Sequence, residues 1–399
     1  MSTSLERSRV HLLHSAAELA HNGHRGAEEA VESFLTRYYR HVATEDLLAR
    51  APEDLLGVAL AHRELARERP VGTANVVVEN PTVESQGWSS GHTVIQIVTD
   101  DMPFLVDSVT MLVTRRGRSV HLLVHPQLVV RRDATGLLQE ILDTDRPPAG
   151  EFGVAEESWM HVEIDRVTDP AECAAIAAEL RATLGDVRDA VEDWPKMRDR
   201  CSSVAAALRD EPPVGLDAAE VAQVVRFLVW LAGNHFTFLG YRQYTLADEG
   251  GDTLLIPVQG SGLGLLRYDT AGSSAFARLS DAAQAQARER ELLIITKANS
   301  RATVHRSAYL DYVGVKTFDD QGEVTGEHRF LGLFAASAYA GSIRSIPIIG
   351  DRARDVVGKV GLAADSHSGK DLLQALENYP RDELFQTDAD TLASVAEAV

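Results

Sequence analysis

Only two cysteines occur in 399 residues, Cys173 and Cys201, and neither stands in a CxxC or Cys/His spacing. That excludes a disulfide-built scaffold and a sulfur-rich metal set, so both are expected as free thiols in a reducing cytoplasm. No run of about 18 apolar residues is present, and the opening MSTSLERSRVHLLHSAAELAHNG lacks the apolar stretch of a signal peptide. Neither a membrane span nor export is expected. Positive charge is scarce as well: 39 Lys and Arg against 59 Asp and Glu leave a formal charge of −20. A field of that sign repels phosphate backbones and anionic lipid, which disfavours nucleic acid and membrane partners. There is no GxSxG elbow and no GxxxxGK[ST] loop, and no catalytic residue is assigned. The glycine run Gln259-Gly260-Ser261-Gly262-Leu263-Gly264 lacks GxGxxG spacing and reads as a turn between strands, so no cofactor is assigned to it. Histidines pair at His11/His14, His21/His24 and His121/His125, but no adjacent acid or cysteine completes a metal set, and no metal is expected.

What the chain does have is an ordinary globular composition, 45% hydrophobic and 25% charged, and enough length for two or three cores. Apolar residues recur at helical spacing across residues 1–71, with Pro52 placed to open a helix. Across 72–190 the period changes: Val76 to Val78 and His92 to Val98 read as strands, Phe104 to Arg115 as a helix, and Ser119 to Arg132 as one long strand. SWMHVEID then alternates Met160, Val162 and Ile164 against Trp159, His161 and Glu163, one face buried and the other covered less completely. Asp169-Pro170-Ala171-Glu172 is a helix start, and Gly185 is placed to end that helix after Leu184. This order predicts an α+β fold, a ferredoxin-like α/β sandwich with its helices on one face.

Residues 191–233 read as a helical connector. From 234 to 345 five strands and a helix near Ala275 to Arg290 predict a mainly antiparallel sheet of PAS or GAF type, with a hairpin at Asp319-Asp320-Gln321-Gly322. Residues 346–399 are helical and read as the start of a further domain. The sequence stops at Val399 in mid-pattern, which predicts a boundary that is not the natural one.

Two constellations are candidates for binding. TDDMPFLVDSVTMLV runs from a strand ending in two acids, through Pro103, into a helix whose free N–H groups and partial positive charge suit an anion. Asp100, Asp101, Pro103, Phe104, Asp107 and Ser108 are its candidate effector-binding residues. The bland alternative is that Asp101 caps the helix while Asp107 and Ser108 are solvated. In ITKANSRATVHRS, alternation places Lys297, Arg301 and His305 on one strand face, with Arg306 beside them, as a candidate grip for an anion or an interdomain carboxylate. The alternative there is ordinary pairing with surface acids.

DDMPFLVDSV in a β–α–β setting resembles the first loop of an ACT domain, an amino-acid-sensing module. DMPFLVDS, NHFTFLGYR, KANSRATVHR and YLDYVGVKTFDDQGEVTGEHRFLGLF together resemble the N-terminal region of the large NAD-specific glutamate dehydrogenases. The resemblance implies a regulatory and oligomerisation region of an enzyme that deaminates L-glutamate oxidatively to 2-oxoglutarate and ammonium with NAD. It further implies a catalytic domain beyond Val399, a homo-oligomer, and no activity in this portion alone. A scaffold that binds no ligand is the alternative. Two departures from the ACT pattern stand out: Phe104 occupies a position that is usually glycine and crowds the usual pocket, and no fourth strand follows the second helix. Either Asn75 to Val78 supplies that missing edge or the sheet is shorter.

Overall fold

The computed structural model describes residues 2–20, 25–148, 150–249, 252–268, 277–278 and 287–397. The chain divides into two compact units, Met1–Val187 with Thr303–Arg306, and Arg188–Ala302 with Ser307–Val399. Among the described residues no helix is long and apolar enough to cross a membrane.

The first unit begins with four helices, α1 (Ser2–Leu19), α2 (Arg25–Tyr38), α3 (Thr44–Leu48) and α4 (Pro52–Leu65). Pro52 does open α4, as its fixed φ and missing N–H favour. Then come β1 (Asn75–Glu79), the short α5 (Val83–Gln86), β2 (Thr93–Asp100), α6 (Leu105–Arg115), β3 (Val120–Val124), β4 (Gln127–Arg132), β5 (Leu138–Ile141), β6 (Val154–Ile164) and the start of α7 (Pro170–Asp210). The sheet runs β1-β2-β6-β4-β5, with β3 also on β6, and every pairing is antiparallel. β1 lies against β2 in register Val76↔Ile97, so the missing edge is supplied from the N-terminal side. The single long strand expected over Ser119–Arg132 is two strands, broken at His125–Pro126. Pro126 has no N–H to give the ladder, but its carbonyl accepts from the Trp159 N–H at 3.0 Å and keeps both pieces on β6.

The expectation of helices on one face needs correction. Trp159 and His161 are fully buried and Glu163 is 1% exposed, as buried as Met160, Val162 and Ile164 on the opposite face. The second face is covered by the N-terminal helices. Leu13, Phe34, Leu35, Tyr38, Leu55 and Val58 form one apolar cluster with Val94, Val98, Val130 and Trp159. The other face is left to α6 and α7, which are tied together by Arg116 and Glu179, guanidinium to carboxylate at 2.6 Å. The unit is therefore a three-layer sandwich, and the helical lead-in is one of its layers.

Helix α7 starts as its sequence predicts: the Asp169 carboxylate accepts from the Ala171 N–H at 2.9 Å. It does not stop at Gly185 but continues to Asp210, through Pro195. Glycine in a helix interior costs about 1 kcal/mol relative to alanine, and burial of Leu184, Val187 and Ala190 beside it outweighs that.

In the second unit, α8 (Ala218–Trp230) leads into β7 (Phe236–Glu249), β8 (Asp252–Pro257), the short β9 (Leu263–Gly264) and β10 (Ala277–Arg278), then β11 (Leu293–Arg301), β12 (Tyr309–Phe318) and β13 (Val324–Phe334). The antiparallel order is β10-β8-β7-β13-β12-β11, with β9 on β7. The helix expected near Ala275 to Arg290 falls mostly outside the described residues, and within that span Ala277 and Arg278 are extended, paired to β8. The hairpin at Asp319–Gly322 is present: the Asp319 N–H donates to the Glu323 carbonyl, and Gly322 takes φ 78°. The glycine run is a turn, as expected. Gly264 has φ 58°, and a side chain there would meet the Leu239 carbonyl, which only glycine permits. Helices α9 (Ala336–Ala340), α10 (Ile349–Lys359), α11 (His367–Glu377), α12 (Arg381–Gln386) and α13 (Ala389–Glu397) follow. Expected to begin a further domain, they share this unit's core. Val356, Leu376, Phe385 and Leu392 cluster with Phe227, Phe238, Phe330 and Phe334, and Phe385 stacks on Phe334 at 4.4 Å.

Candidate functional site

The link from β2 to α6 is set by its backbone. The Asp101 N–H donates to the Glu156 carbonyl at 3.0 Å, extending the ladder by one residue, and Pro103 is exposed at the turn. Phe104 then sits at the N-cap position with φ 71° and ψ 0°, and its side chain makes no capping bond. That left-handed conformation is the one glycine adopts without steric cost. Asp101 does not cap the helix. Its carboxylate accepts from the Gln127 amide at 3.2 Å.

What lies against this helix end is the chain itself. Thr303–Arg306, far along the sequence, belong to the first unit. His305 is also left-handed, φ 76°, and its ring lies 4.8 Å from the Phe104 ring. The His305 N–H donates to the Ser108 hydroxyl at 3.1 Å. The Thr303 hydroxyl donates to Asp186 at 2.7 Å, and Val304 is fully buried. Burial raises the Asp186 carboxyl's pKa, which the Thr303 bond partly offsets. Asp107 is exposed, with its carboxylate 3.5 Å from His305 Nδ1, too long and poorly aimed for a hydrogen bond. Ser108, expected to be solvated in the bland alternative, is buried and serves as the acceptor for this segment.

Asp100 is drawn elsewhere. It pairs with Arg69 at 2.6 Å, and Arg69 also reaches Glu157 at 2.6 Å. Arg132 grips Glu157 with two bonds, at 2.6 and 2.9 Å, and the Trp159 indole donates to the same carboxylate at 3.0 Å. Arg69, Arg132 and Glu157 are all within 6% of full burial. Of the six residues proposed at the helix end, then, Phe104, Asp107 and Ser108 meet around His305, Asp101 and Pro103 lie on the turn, and Asp100 joins a buried ionic cluster. None of Arg69, Arg132 or Glu157 was singled out from the sequence. The available signal was Glu157 falling on the same strand face as Trp159.

The second constellation does not assemble. Alternation fails along β11, whose register with β12 shifts between Lys297 and Arg301, and the strand ends at Arg301. Lys297 donates to Asp311 at 2.5 Å and Asp382 at 3.0 Å, and the Arg301 guanidinium lies 4.7 Å over the Tyr309 ring. His305 and Arg306 belong to the first unit. The single basic face was a product of assuming an unbroken strand.

The His121/His125 pair likewise separates. His121 stacks on His92 at 4.2 Å and bonds Asp165, while His125 bonds Ser158; His21 and His24 lie outside the described residues. Cys173 and Cys201 are free and buried. No group of three or more His, Cys, Asp or Glu able to hold a metal occurs among the described residues.

An antiparallel sheet with the strand–turn–helix at Asp100–Phe104 and two helices on one face defines an ACT-type module. Comparison bears this out: residues 34–180 match the family model described as glutamate dehydrogenase, ACT1 domain, and residues 346–399 match glutamate dehydrogenase, helical motif 1. The chain is homologous to part of the large NAD-specific glutamate dehydrogenases. It is 37% identical to the NAD-specific glutamate dehydrogenase of Halomonas elongata and 38% identical to that of Pseudomonas aeruginosa, in each case over 92% of this chain and 23% of the relative. To that of Mycobacterium tuberculosis it is 29% identical, over 87% of this chain and 20% of the relative. The chain thus spans under a quarter of the length of these curated relatives. The match beginning at residue 34 takes in the last residues of α2 and all of α3 and α4, in agreement with their packing as a layer of the sandwich.

Proposed function

We propose that this chain is the non-catalytic regulatory and oligomerisation region of a cytoplasmic NAD-specific glutamate dehydrogenase. The parent reaction is the oxidative deamination of L-glutamate to 2-oxoglutarate and ammonium with NAD, carried by a catalytic domain in the remaining length of such an enzyme. The observation that carries this reading is the similarity over 92% of the chain, which takes in an ACT1 domain yet accounts for only 23% of the relatives. The five long strands of the second unit, ordered second, first, fifth, fourth, third, support reading it as a PAS or GAF-like module beside the ACT-like one.

In this reading an amino-acid effector acts by favouring one arrangement of the enzyme over another, since a ligand of equal affinity for both shifts nothing. At the N-terminus of α6 it would meet Asp101, Phe104 and Asp107. A second reading, a scaffold for subunit assembly with no ligand there, is favoured by a specific observation. The Phe104 ring and the His305 backbone occupy the ground an effector would need.

Thermal melting of the chain against a panel of amino acids separates the two. A ligand at about 100 times its dissociation constant adds roughly 2.7 kcal/mol of stability. A saturable shift with one amino acid, lost in Asp101→Ala, supports sensing at α6. A flat panel on folded protein supports the scaffold.

A further inference from the structure

The second unit holds a cavity of about 520 Å³ between the C-terminal half of α7, the Pro212–Val214 link and the strands β12 and β13. That is the size of an ordinary small-molecule site, and its wall is divided evenly between apolar and polar or charged residues. Val204, Leu208, Val315 and Phe318 supply the apolar surface. At one end stand Arg200 and His328. The Arg200 guanidinium lies 5.7 Å over the Tyr241 ring, and among the described residues it has no carboxylate and no hydrogen-bond partner. Arg200 is solvent-exposed. His328 lines the cavity, its Nδ1 is engaged by the Tyr241 hydroxyl at 2.8 Å, and its Nε2 has no partner among the described residues. Burial, and then the nearby Arg200 charge, hold His328 down to about 4, so it is neutral at pH 7. In the tautomer in which the Tyr241 O–H donates to Nδ1, Nε2 carries the proton and is a donor.

The other charges on the wall are accounted for. The Lys316 ammonium donates to the Glu289 carbonyl at 2.6 Å. Asp319 is held in the hairpin by the N–H groups of Gln321 and Glu323, both at 2.9 Å. Glu211 and Asp320 are exposed. Arg200 and Glu211 are eleven residues apart along α7 and its last turn, which at about 1.5 Å per residue places Glu211 roughly 16 Å from Arg200. An acidic group extended toward Glu211 would be repelled.

We propose that this cavity binds a small monocarboxylate with an apolar body, its carboxylate held by the Arg200 guanidinium and the His328 Nε2–H and its body laid along Val204, Leu208 and Val315. The acids beyond the far end select against dicarboxylates. The site is independent of the α6 helix end and of any dehydrogenase role.

Isothermal titration of the whole chain with octanoate tests this, with octanol and glutarate as comparison probes. Saturable binding of octanoate is expected, weaker by about tenfold or more in Arg200→Met and in His328→Leu, because each variant removes a hydrogen bond to a charged group. Arg198→Met, whose guanidinium stacks on Trp194 instead, is expected to bind as the parent does. Circular dichroism confirms that each variant is folded. Octanol or glutarate binding as tightly as octanoate, equal binding by the Arg200 and His328 variants, or no binding of octanoate to folded parent chain overturns the proposal.

Discussion

Phe104 and His305 are both held in the left-handed backbone region, at φ 71° and 76°, and their rings meet at 4.8 Å. Two residues just over 200 positions apart in the sequence thus close one helix end with conformations that glycine would take more cheaply. The left-handed region costs a non-glycine residue on the order of 1–2 kcal/mol. Phe104→Ala and Phe104→Gly both remove the ring, but only glycine relieves the backbone. Denaturant unfolding should therefore find Phe104→Gly more stable than Phe104→Ala by about 1 kcal/mol. Equal stability would mean that the turn does not impose its φ on the residue.

The ionic cluster of Arg69, Arg132 and Glu157 is buried from solvent on all three members. Removing one partner of such a cluster leaves uncompensated charge in a low-dielectric setting, which costs about 3–5 kcal/mol. Glu157→Gln keeps the shape and removes the charge, stranding Arg132 and half of Arg69's pairing. Its unfolding midpoint should fall accordingly. A loss below about 1 kcal/mol would show that the two guanidinium groups find other acceptors.

His62 predicts an acid limb for the stability of the first unit. Burial lowers its pKa from 6.5 to about 3, against the bond to the Ile97 carbonyl that would raise it. Nε2 lies 3.0 Å from that carbonyl and therefore carries the proton, so Nδ1 accepts from the Tyr38 hydroxyl at 2.7 Å. The native state keeps this imidazole neutral while the unfolded chain protonates it near 6.5. Stability is thus whole above pH 6.5 and declines as pH falls from there toward 3, by about 1.4 kcal/mol per pH unit. Glu163 adds to the decline lower down. Burial would raise its carboxyl, but bonds from His161 and Arg50 hold it at about 2, so its contribution is lost as pH falls from 4.5 toward 2. Denaturant unfolding at pH 7, 6 and 5 checks the histidine limb, and in His62→Gln that limb should flatten.

Local signals carried most of the elements. The alternation in β6, the proline at the start of α4, the acid at the start of α7 and the hairpin at Gly322 each act through residues next to one another, so each could be read from a short window. What stayed hidden depends on distant partners. Trp159, His161 and Glu163 look like a half-covered face until Phe34, Tyr38 and Arg50 are folded over them. Gly185 reads as a helix end because nothing nearby shows that Leu184 and Val187 are buried. The candidate site was found in part: the turn at Asp101–Phe104 was legible, but the segment filling it comes from residue 303 onward and no local pattern links the two.

The proposed role, regulation and assembly of a glutamate dehydrogenase without the chemistry itself, is open to direct assay. The direct measurement is NADH formation by the purified, folded chain with saturating L-glutamate and NAD. No glutamate-dependent NADH above the no-enzyme rate is expected. Turnover that saturates with both L-glutamate and NAD, and that follows the chain through purification, would contradict it.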